Sequence, residues 1–249
     1  MTELIDKFDP ITLEQMSSVK LMNRTDTKFV TSTEQLRLLL MLAQQDYYVQ
    51  EIDGMRNLEY DTTYFDTRQY DMYAEHQHGH ANRQKIRFRT YCCSGLQFME
   101  VKTKNNHGRT KKKRIEVGDM NLTDSEKRQF LSKNLRYDVD SLQPALNNHF
   151  SRITLVNKAK TERLTIDSRL RFRNLQSGTV MDMGPLVVIE LKRDGLVYSP
   201  VLDMLRQLRI KPHGFSKYCM GEALTCNRSL PVNRFKRKLI EVRKLVSQQ

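Results

Sequence analysis

Charged and apolar residues alternate along several short segments of this chain. Between residues 85 and 89 three basic residues alternate with Ile86 and Phe88, and similar patterns occur at 99–104, 169–173 and 189–192. Successive side chains of a β-strand point to opposite faces, so each segment is predicted to be a strand with one charged face. The charged members are Lys85, Arg87, Arg89, Glu100, Lys102, Lys104, Arg169, Arg171, Arg173, Glu190 and Lys192.

The charge on these strands is almost entirely positive. Residues 83–114 contain eleven Lys and Arg residues and one acid, Glu100, and the 249-residue chain has a formal net charge of +13. A solvated sheet face over an ordinary core is one interpretation, but such a face would mix both charge signs with Ser, Thr and Gln. Because a purely basic face repels itself, we predict that a linear polyanion such as triphosphate or polyphosphate neutralises it.

Nucleic acid fits this pattern less well. A duplex favours a basic convex surface or a helix that enters a groove. A single strand favours aromatic side chains among the basic ones, on which bases stack. Phe88 and Phe172 alternate with the basic residues, so we expect them in the core and expect no nucleic-acid partner.

The remaining segments give an α+β pattern. Strands are predicted at 21–30, 47–52, 57–65, 83–91, 96–104, 110–117, 150–156, 163–167, 169–173, 179–183 and 186–192. Helices are predicted at 11–16 with Pro10 in the first turn, at 34–43, at 124–135 with Thr123 as cap, and at 200–208, 216–226 and 233–246. We expect a closed or nearly closed antiparallel β-barrel with a basic lumen and flanking helices. The absence of βαβ alternation and of a Gly-rich phosphate loop argues against Rossmann and P-loop folds.

Cysteine usage and hydropathy indicate a cytoplasmic protein without a transmembrane segment. The four cysteines, Cys92, Cys93, Cys219 and Cys226, form no C-x-x-C pair and are predicted to be reduced thiols. No apolar run approaches eighteen residues, and residues 1–10 lack the apolar region of a secretory signal.

Three histidines form an H-x-H-x-H run around Gly79. A metal site is one interpretation of His76, His78 and His80, but no Cys or acidic ligand completes it at a familiar spacing. We therefore predict a polar surface turn.

Two acids lie among the basic residues of the charged face. Glu100 and Glu190 each either form an ion pair with a neighbouring Lys or Arg or bind a divalent cation that accompanies a phosphate substrate. The metal interpretation is favoured for Glu190, and both alternatives stay open for Glu100.

Ordered motifs connect the chain to a known family. They are YFDT at 64–67 with Tyr70, KIRFRTY at 85–91, EVKTK at 100–104, KKR at 112–114, RLTID at 163–167, VIELK at 188–192 and FSKY at 215–218. In this order they resemble the vacuolar transporter chaperone (VTC) domain, the polyphosphate polymerase domain of the CYTH or triphosphate tunnel metalloenzyme superfamily. The resemblance covers about residues 21–226, with 227–249 as a C-terminal helix, and implies one eight-stranded tunnel domain over residues 1–249.

The resemblance also implies an activity. Polymerases of the family transfer the terminal phosphate of ATP to a growing inorganic polyphosphate chain with Mn²⁺ or Mg²⁺, and triphosphate or pyrophosphate occupies the same tunnel. The residues expected to be catalytic are Arg87, Arg89, Lys102, Arg163 and Lys217. Those expected to bind substrate are Lys28, Lys85, Lys104, Lys113, Arg152 and Lys192, and those expected to bind metal are Glu190 and Glu100.

The first strand departs from the superfamily pattern. Many superfamily triphosphatases begin with E-x-E-x-K, whereas this chain has Arg24, Asp26 and Lys28. With fewer carboxylates to position a metal-activated water, polymerisation is favoured over triphosphate hydrolysis. Hydrolysis and non-catalytic polyphosphate binding remain alternatives. Eukaryotic relatives carry membrane segments and a phosphate-sensing domain. We expect neither part in this chain, so any attachment to a membrane would depend on a separate partner protein.

Overall fold

The fold is a curled antiparallel sheet flanked by helices. The computed structural model describes residues 1–17, 24–106, 109–195, 197–227 and 230–247. Its strands are β1 (Asp9–Ile11), β2 (Arg24–Ser32), β3 (Tyr47–Gln50), β4 (Leu58–Thr67), β5 (Arg83–Tyr91), β6 (Gln97–Lys104), β7 (Thr110–Glu116), β8 (Leu142–Asn157), β9 (Glu162–Asn174), β10 (Val180–Asp182) and β11 (Leu186–Asp194). Its helices are α1 (Thr2–Ile5), α2 (Leu13–Ser17), α3 (Thr33–Ala43), α4 (Asp71–His78), α5 (Ser125–Asn134), α6 (Pro200–Gln207), α7 (Lys217–Thr225) and α8 (Lys236–Val246).

Eight strands form the wall of the site. Their order is β2-β11-β9-β8-β4-β5-β6-β7, and each neighbouring pair is antiparallel. Strands β1, β3 and β10 add to the margins of this sheet. In the part of the chain that the structure describes, β2 and β7 do not pair, so the wall is a half-barrel. The predicted α+β fold, an eight-stranded antiparallel sheet curled into a tunnel wall with flanking helices, is confirmed, and among the described residues the wall is open between β2 and β7.

The predicted alternation places apolar residues on the outer face of β5, β6 and β11. Ile86 and Val101 pack with Leu131 of α5, while Ile189 packs in a second cluster with Leu36 of α3. Phe88 is also buried, as predicted. Burial of these residues under α3 and α5 holds the opposite, charged faces toward the concave side.

Strand β9 departs from this pattern. Its pairing with β8 shifts register between His149 and Ser151, and Arg169 has a φ of 54°. Such an irregularity turns later side chains to the other face. Arg169, Arg171 and Arg173 are consequently exposed on the outside, and Leu170 and Phe172 are buried on the inside. The expectation that these three arginines share the basic face was wrong, whereas the core position of Phe172 is confirmed.

Two helix starts differ from the predicted ones. Pro10 lies in β1, and α2 begins after Thr12, whose Oγ1 accepts a hydrogen bond of 3.3 Å from the amide of Gln15. In α5 the cap is Asp124, whose carboxylate accepts a bond of 3.0 Å from the amide of Lys127. Thr123 instead donates to Asn121, so the carboxylate is the acceptor that satisfies the first turn.

Helix α7 lies close against the sheet because of one glycine. A Cβ on Gly221 would lie 2.9 Å from Cδ1 of Phe172 and closer still to Leu146. The close approach holds the first residues of α7 at one end of the concave face. The C-terminal helix covers the same end, with Leu239 and Val242 buried in the shared cluster. No helix within the described ranges has both the length and the hydropathy needed to span a bilayer.

Candidate functional site

The register of the strands collects the basic residues into two groups on the concave face. On one side, Lys28 of β2 lies opposite Glu190, and Lys192 lies opposite Arg163. On the other, Lys85 lies opposite Lys102. Each of these strands exposes alternate residues to the concave space, so the two groups face one another across it.

Proximity of the two groups is evident at Lys102. Burial, and then repulsion by Lys28 of the opposite group, lower the pKa of Lys102 to about 8, although Glu190 counteracts this. The pKa of Lys85 is also lowered to about 8, first by burial, and Lys28 contributes. The lysines of the two groups repel one another, which lowers their pKa values. A bound anion would relieve this repulsion, so anion binding is favourable.

Glu190 is the acid of the first group. Its carboxylate accepts a hydrogen bond from Lys192, and its Oε1 lies 3.6 Å from Nζ of Lys28. Burial alone would raise the pKa of Glu190, but Lys28, Lys192 and Lys102 hold it well below its usual range. The side chain retains 17% of its exposure, so the ionised carboxylate is accessible from the concave space.

Glu100 belongs to the second group and is enclosed. Its side chain is 1% exposed, Arg87 contacts Oε2 at 2.5 Å, and Lys112 contacts Oε1 at 3.1 Å. Burial opposes ionisation, but Arg87, Arg89 and Lys112 lower the pKa of Glu100 to about 2. Since the side chain is enclosed and both oxygens hold cations of the protein, the ion-pair interpretation fits Glu100 better than the metal interpretation.

A third carboxylate holds two further predicted residues. Arg152 binds Asp167 through Nε and Nη2 at 2.6 and 2.9 Å, and Lys217 of α7 donates to Oδ2 at 2.6 Å. The Lys217 amine also lies 3.0 Å from the ring centroid of Phe150. Burial would raise the pKa of Asp167, but Arg152 and Lys217 hold it well below its usual range. Asp167 therefore fixes both cations at the end of the concave face.

Arg89 and Lys85 are positioned by hydroxyl groups. Arg89 is 5% exposed and donates to Oγ1 of Thr62 at 3.1 Å. Burial and the repulsion of Arg87 and Arg152 lower its pKa to about 10. Lys85 donates to Oγ of Ser216 at 2.7 Å, and the same hydroxyl caps α7. The N-terminal end of α7 therefore joins β5 to the site.

Lys113 and Lys104 lie away from this centre. Lys113 is exposed opposite Val101, on the face packed against α5, whereas Lys112 lies opposite Lys102. The placement of Lys113 in the site was therefore wrong, since the neighbouring Lys112 is the residue on the concave face. Lys104 lies on the concave face, but at the far end of β6, opposite Arg83.

Sequence reasoning missed Lys112, Arg114 and Asp167 as site residues. Arg114 lies opposite Glu100, and Asp167 lies opposite Arg152. For Asp167 a sequence signal was available, because its two-residue spacing from Thr165 and Arg163 places it on the same strand face as Arg163.

The histidine run ends a helix. His76 and His78 belong to the last turn of α4, and Gly79 follows it with a φ of 80°. Nδ1 of His76 lies 3.1 Å from Sγ of Cys219, and its ring packs edge-on to Phe235. The predicted polar surface turn was wrong for His76, because α7 and the residues before α8 cover it.

A divalent cation on the concave face would need acidic ligands. The described residues contain no group of three His, Cys, Asp or Glu side chains that could hold an ion alone. Mg²⁺ on phosphate substrates, however, takes one or two carboxylates and completes its shell with phosphate oxygens and water. Glu190 fits that role, and Asp26 lies on the same face, two residues along β2 from Lys28, which is opposite Glu190.

Comparison with known proteins gives the following matches. The sequence model of the VTC domain matches residues 23–226. A proposed adenylate cyclase from Bacillus halodurans is 15% identical, with 78% of this chain and 96% of that chain covered and a TM-score of 0.52. A proposed adenylyl cyclase from Hippeastrum, described as having a dominant triphosphatase activity, is 14% identical, with 85% and 99% covered and a TM-score of 0.49. No curated protein matches the sequence.

Proposed function

The chain belongs to the VTC domain family, and from this we propose that it is a metal-dependent polyphosphate polymerase acting within the concave face. The observation that carries the proposal is the pair of facing basic groups, the first of which contains the partly exposed carboxylate of Glu190. Such a site would accommodate a phosphate chain and one phosphate-bound cation, because Glu190 keeps part of its exposure to the concave space, whereas Glu100 and Asp167 are enclosed with the cations that they bind.

Phosphate oxygens would be bound by the residues that face the concave space. Arg87 and Arg163 offer planar groups that bind two oxygens, whereas Lys102 offers a point charge. Lys28, Lys85, Lys192 and Lys112 extend the positive charge along the chain. Because Asp167 and Glu100 already hold Arg152, Lys217 and Arg87 in place, little reorganisation would be needed when substrate binds.

Glu190 would hold Mn²⁺ or Mg²⁺, and Asp26 on the same face of the neighbouring strand β2 would be a second acid for the ion. The cation, when bound, supplies charge neutralisation to the phosphate oxygens that it contacts. Lys28 and Lys192 now occupy the carboxylate, and their displacement toward phosphate would free it.

The reaction requires no protein nucleophile. A terminal oxygen of the acceptor chain forms a bond to the γ-phosphorus of ATP, the bond from that phosphorus to the bridging oxygen breaks, and ADP leaves with the bond's electron pair. Arg87, Arg89, Lys102, Arg163 and Lys217 would stabilise the charge that moves, and the walls would keep donor and acceptor aligned. We propose residues 1–249 as one domain, because α8 packs in the same core as α7.

Product analysis tests the proposal. Purified protein is incubated with ATP and Mn²⁺, and the products are separated on a gel and assayed for orthophosphate. We expect a polymer that an exopolyphosphatase degrades, with ADP formed in proportion. Orthophosphate equal to the ATP consumed, without polymer, would instead identify a triphosphate hydrolase. Binding of polyphosphate without turnover would identify a binding module.

A further inference from the structure

A third basic group lies beyond the two groups of the site, where β5 begins. Arg83, Lys85 and Arg87 alternate on one face, and Lys104 lies opposite Arg83. At about 3.3 Å per residue, β5 carries this row about 13 Å from Arg87 to Arg83. That span exceeds one triphosphate and leads toward the end of the concave face that α8 covers.

The segment before α8 adds an arginine at this point. The guanidinium of Arg234 packs against Gly79, in the space that a Cβ would occupy. Arg83 donates a hydrogen bond of 2.7 Å to the carbonyl of His80. Both guanidinium groups are therefore held at the same turn after α4.

Helix α8 itself adds a lysine near β2. A Cβ on Gly214 would lie 2.9 Å from Nζ of Lys238. The neighbouring His213 donates its amide to the carbonyl of Lys28 at 2.7 Å, and its Nε2 lies 3.0 Å from Glu241 of α8. These contacts hold Lys238 beside the strand position that faces Glu190.

Positive charge exceeds negative charge at this end. Burial, and then Arg234, lower the pKa of Lys238, while Glu241 counteracts this. The nearby acids are engaged: Glu75 pairs with Arg136, and Glu241 contacts His213 and Arg237. The group therefore has the character of the central site, with basic residues that lower one another's pKa.

We propose that Arg83, Lys104, Arg234 and Lys238, here called the mouth cluster, bind the part of an inorganic polyphosphate chain that extends beyond the central site. This proposal rests on the proposed function and adds a determinant of chain length. Arg234 and Lys238 follow the residues matched by the family model, which end at residue 226, so this half of the mouth cluster belongs to the chain's C-terminal segment.

The test compares two ligands on the full-length protein. Dissociation constants for tripolyphosphate and for long-chain polyphosphate are measured by calorimetry with the double variant R234Q/K238Q. We expect the long chain to bind roughly fivefold less tightly, because two partly exposed charge contacts are lost, and tripolyphosphate to bind as in the wild type. The matched control, K236Q/R243Q, removes the same charge from exposed positions of α8 and should leave both constants unchanged.

Several outcomes would overturn the proposal. Equal losses for both ligands, or an equal loss in the control, would show that only the overall charge matters. Unchanged binding of the long chain by R234Q/K238Q would contradict the proposed role of the mouth cluster and leave the proposed function intact. A wild-type protein that binds neither ligand would contradict the proposed function itself. If R234Q/K238Q melts early, Lys104→Gln supplies the same comparison from a partly exposed strand position.

Discussion

Lys217, the first residue of α7, donates a hydrogen bond of 2.6 Å to Oδ2 of Asp167 on β9. The bond joins the C-terminal helices to the sheet through a carboxylate that also binds Arg152. The site therefore contains its own counter-ion: Asp167 raises the pKa of Arg152 and opposes the lowering of the Lys217 pKa that burial causes. A substrate has to share these cations with the protein.

Replacing Asp167 by Asn should destabilise the protein strongly. The change leaves Arg152 and Lys217 buried without their anion, and breaking a buried pair costs about 3–5 kcal/mol. Urea unfolding followed by circular dichroism measures the loss. The control is Asp140→Asn, which breaks an exposed pair with Arg128 and should change the midpoint little. Similar shifts in both variants would contradict the counter-ion role of Asp167.

Two adjacent lysines of β7 should behave differently. Lys112→Gln is expected to weaken tripolyphosphate binding about threefold or more, because Lys112 faces Lys102 and contacts Glu100. Lys113→Gln removes the same charge from the opposite face and should leave the dissociation constant unchanged. Calorimetric titrations of the two variants provide the comparison. A larger effect at Lys113 would mean that the register of β7 is wrong.

Phosphate binding should weaken as pH rises above about 8. Lys85 and Lys102 have pKa values lowered to about 8, so they lose their protons well below pH 10.5. An anion binds the protonated amines, and we expect the dissociation constant of tripolyphosphate to rise about tenfold or more from pH 7 to pH 9. The variant Lys102→Arg, which stays charged, should show a flatter profile. An identical profile for variant and wild type would exclude Lys102 as a titrating group.

The same lysines influence stability in the opposite direction. Their folded-state pKa lies below the unfolded value, so between pH 8 and 10.5 the unfolded chain binds more protons. Their contribution to the free energy of unfolding therefore increases with pH across this window. Below pH 8 both states are protonated, and the full cost of two charged, partly buried amines is present.

Substitutions of Glu190 and Glu100 should have different effects, the first on metal-dependent turnover and the second on stability. Glu190→Gln is expected to reduce Mn²⁺-dependent turnover about 100-fold and to raise the Mn²⁺ concentration at half-maximal rate. Glu100→Gln should instead lower the free energy of unfolding by about 3 kcal/mol, since Arg87 and Lys112 lose a buried partner. Metal titrations and thermal melts of both variants distinguish the two roles. A metal requirement that stays unchanged in Glu190→Gln would refute its assignment.

Strand periodicity made much of the wall predictable. The bounds of β5 agree with the predicted segment, and the alternation around Ile86 and Ile189 identified the buried faces. Local periodicity could not reveal the shift near Arg169, because a bulge depends on pairing with β8. Lys111, Lys112 and Lys113 carry no alternation, so the sequence does not indicate which of them faces inward.

Contacts between residues far apart in the sequence were the other part of the site that could not be predicted. The bond between Lys217 and Asp167 joins residues 50 positions apart, and neither residue's neighbours indicate it. The packing of Arg234 on Gly79 likewise depends on how α8 returns to the sheet. Family motifs supplied Arg163, Glu190 and Lys217 as candidates, but the partners that restrain them became visible only in three dimensions.

The loop that holds His213 beside Lys28 also bears on self-association. Phe29 of β2 forms an isolated antiparallel bridge with Pro212, and in the described part of the sheet β2 is an outermost strand. An outermost strand offers unpaired amides and carbonyls to other chains, and a proline placed against it supplies no N–H with which a ladder could continue. The loop that holds His213 beside Lys28 thus also shields the sheet margin from intermolecular strand addition.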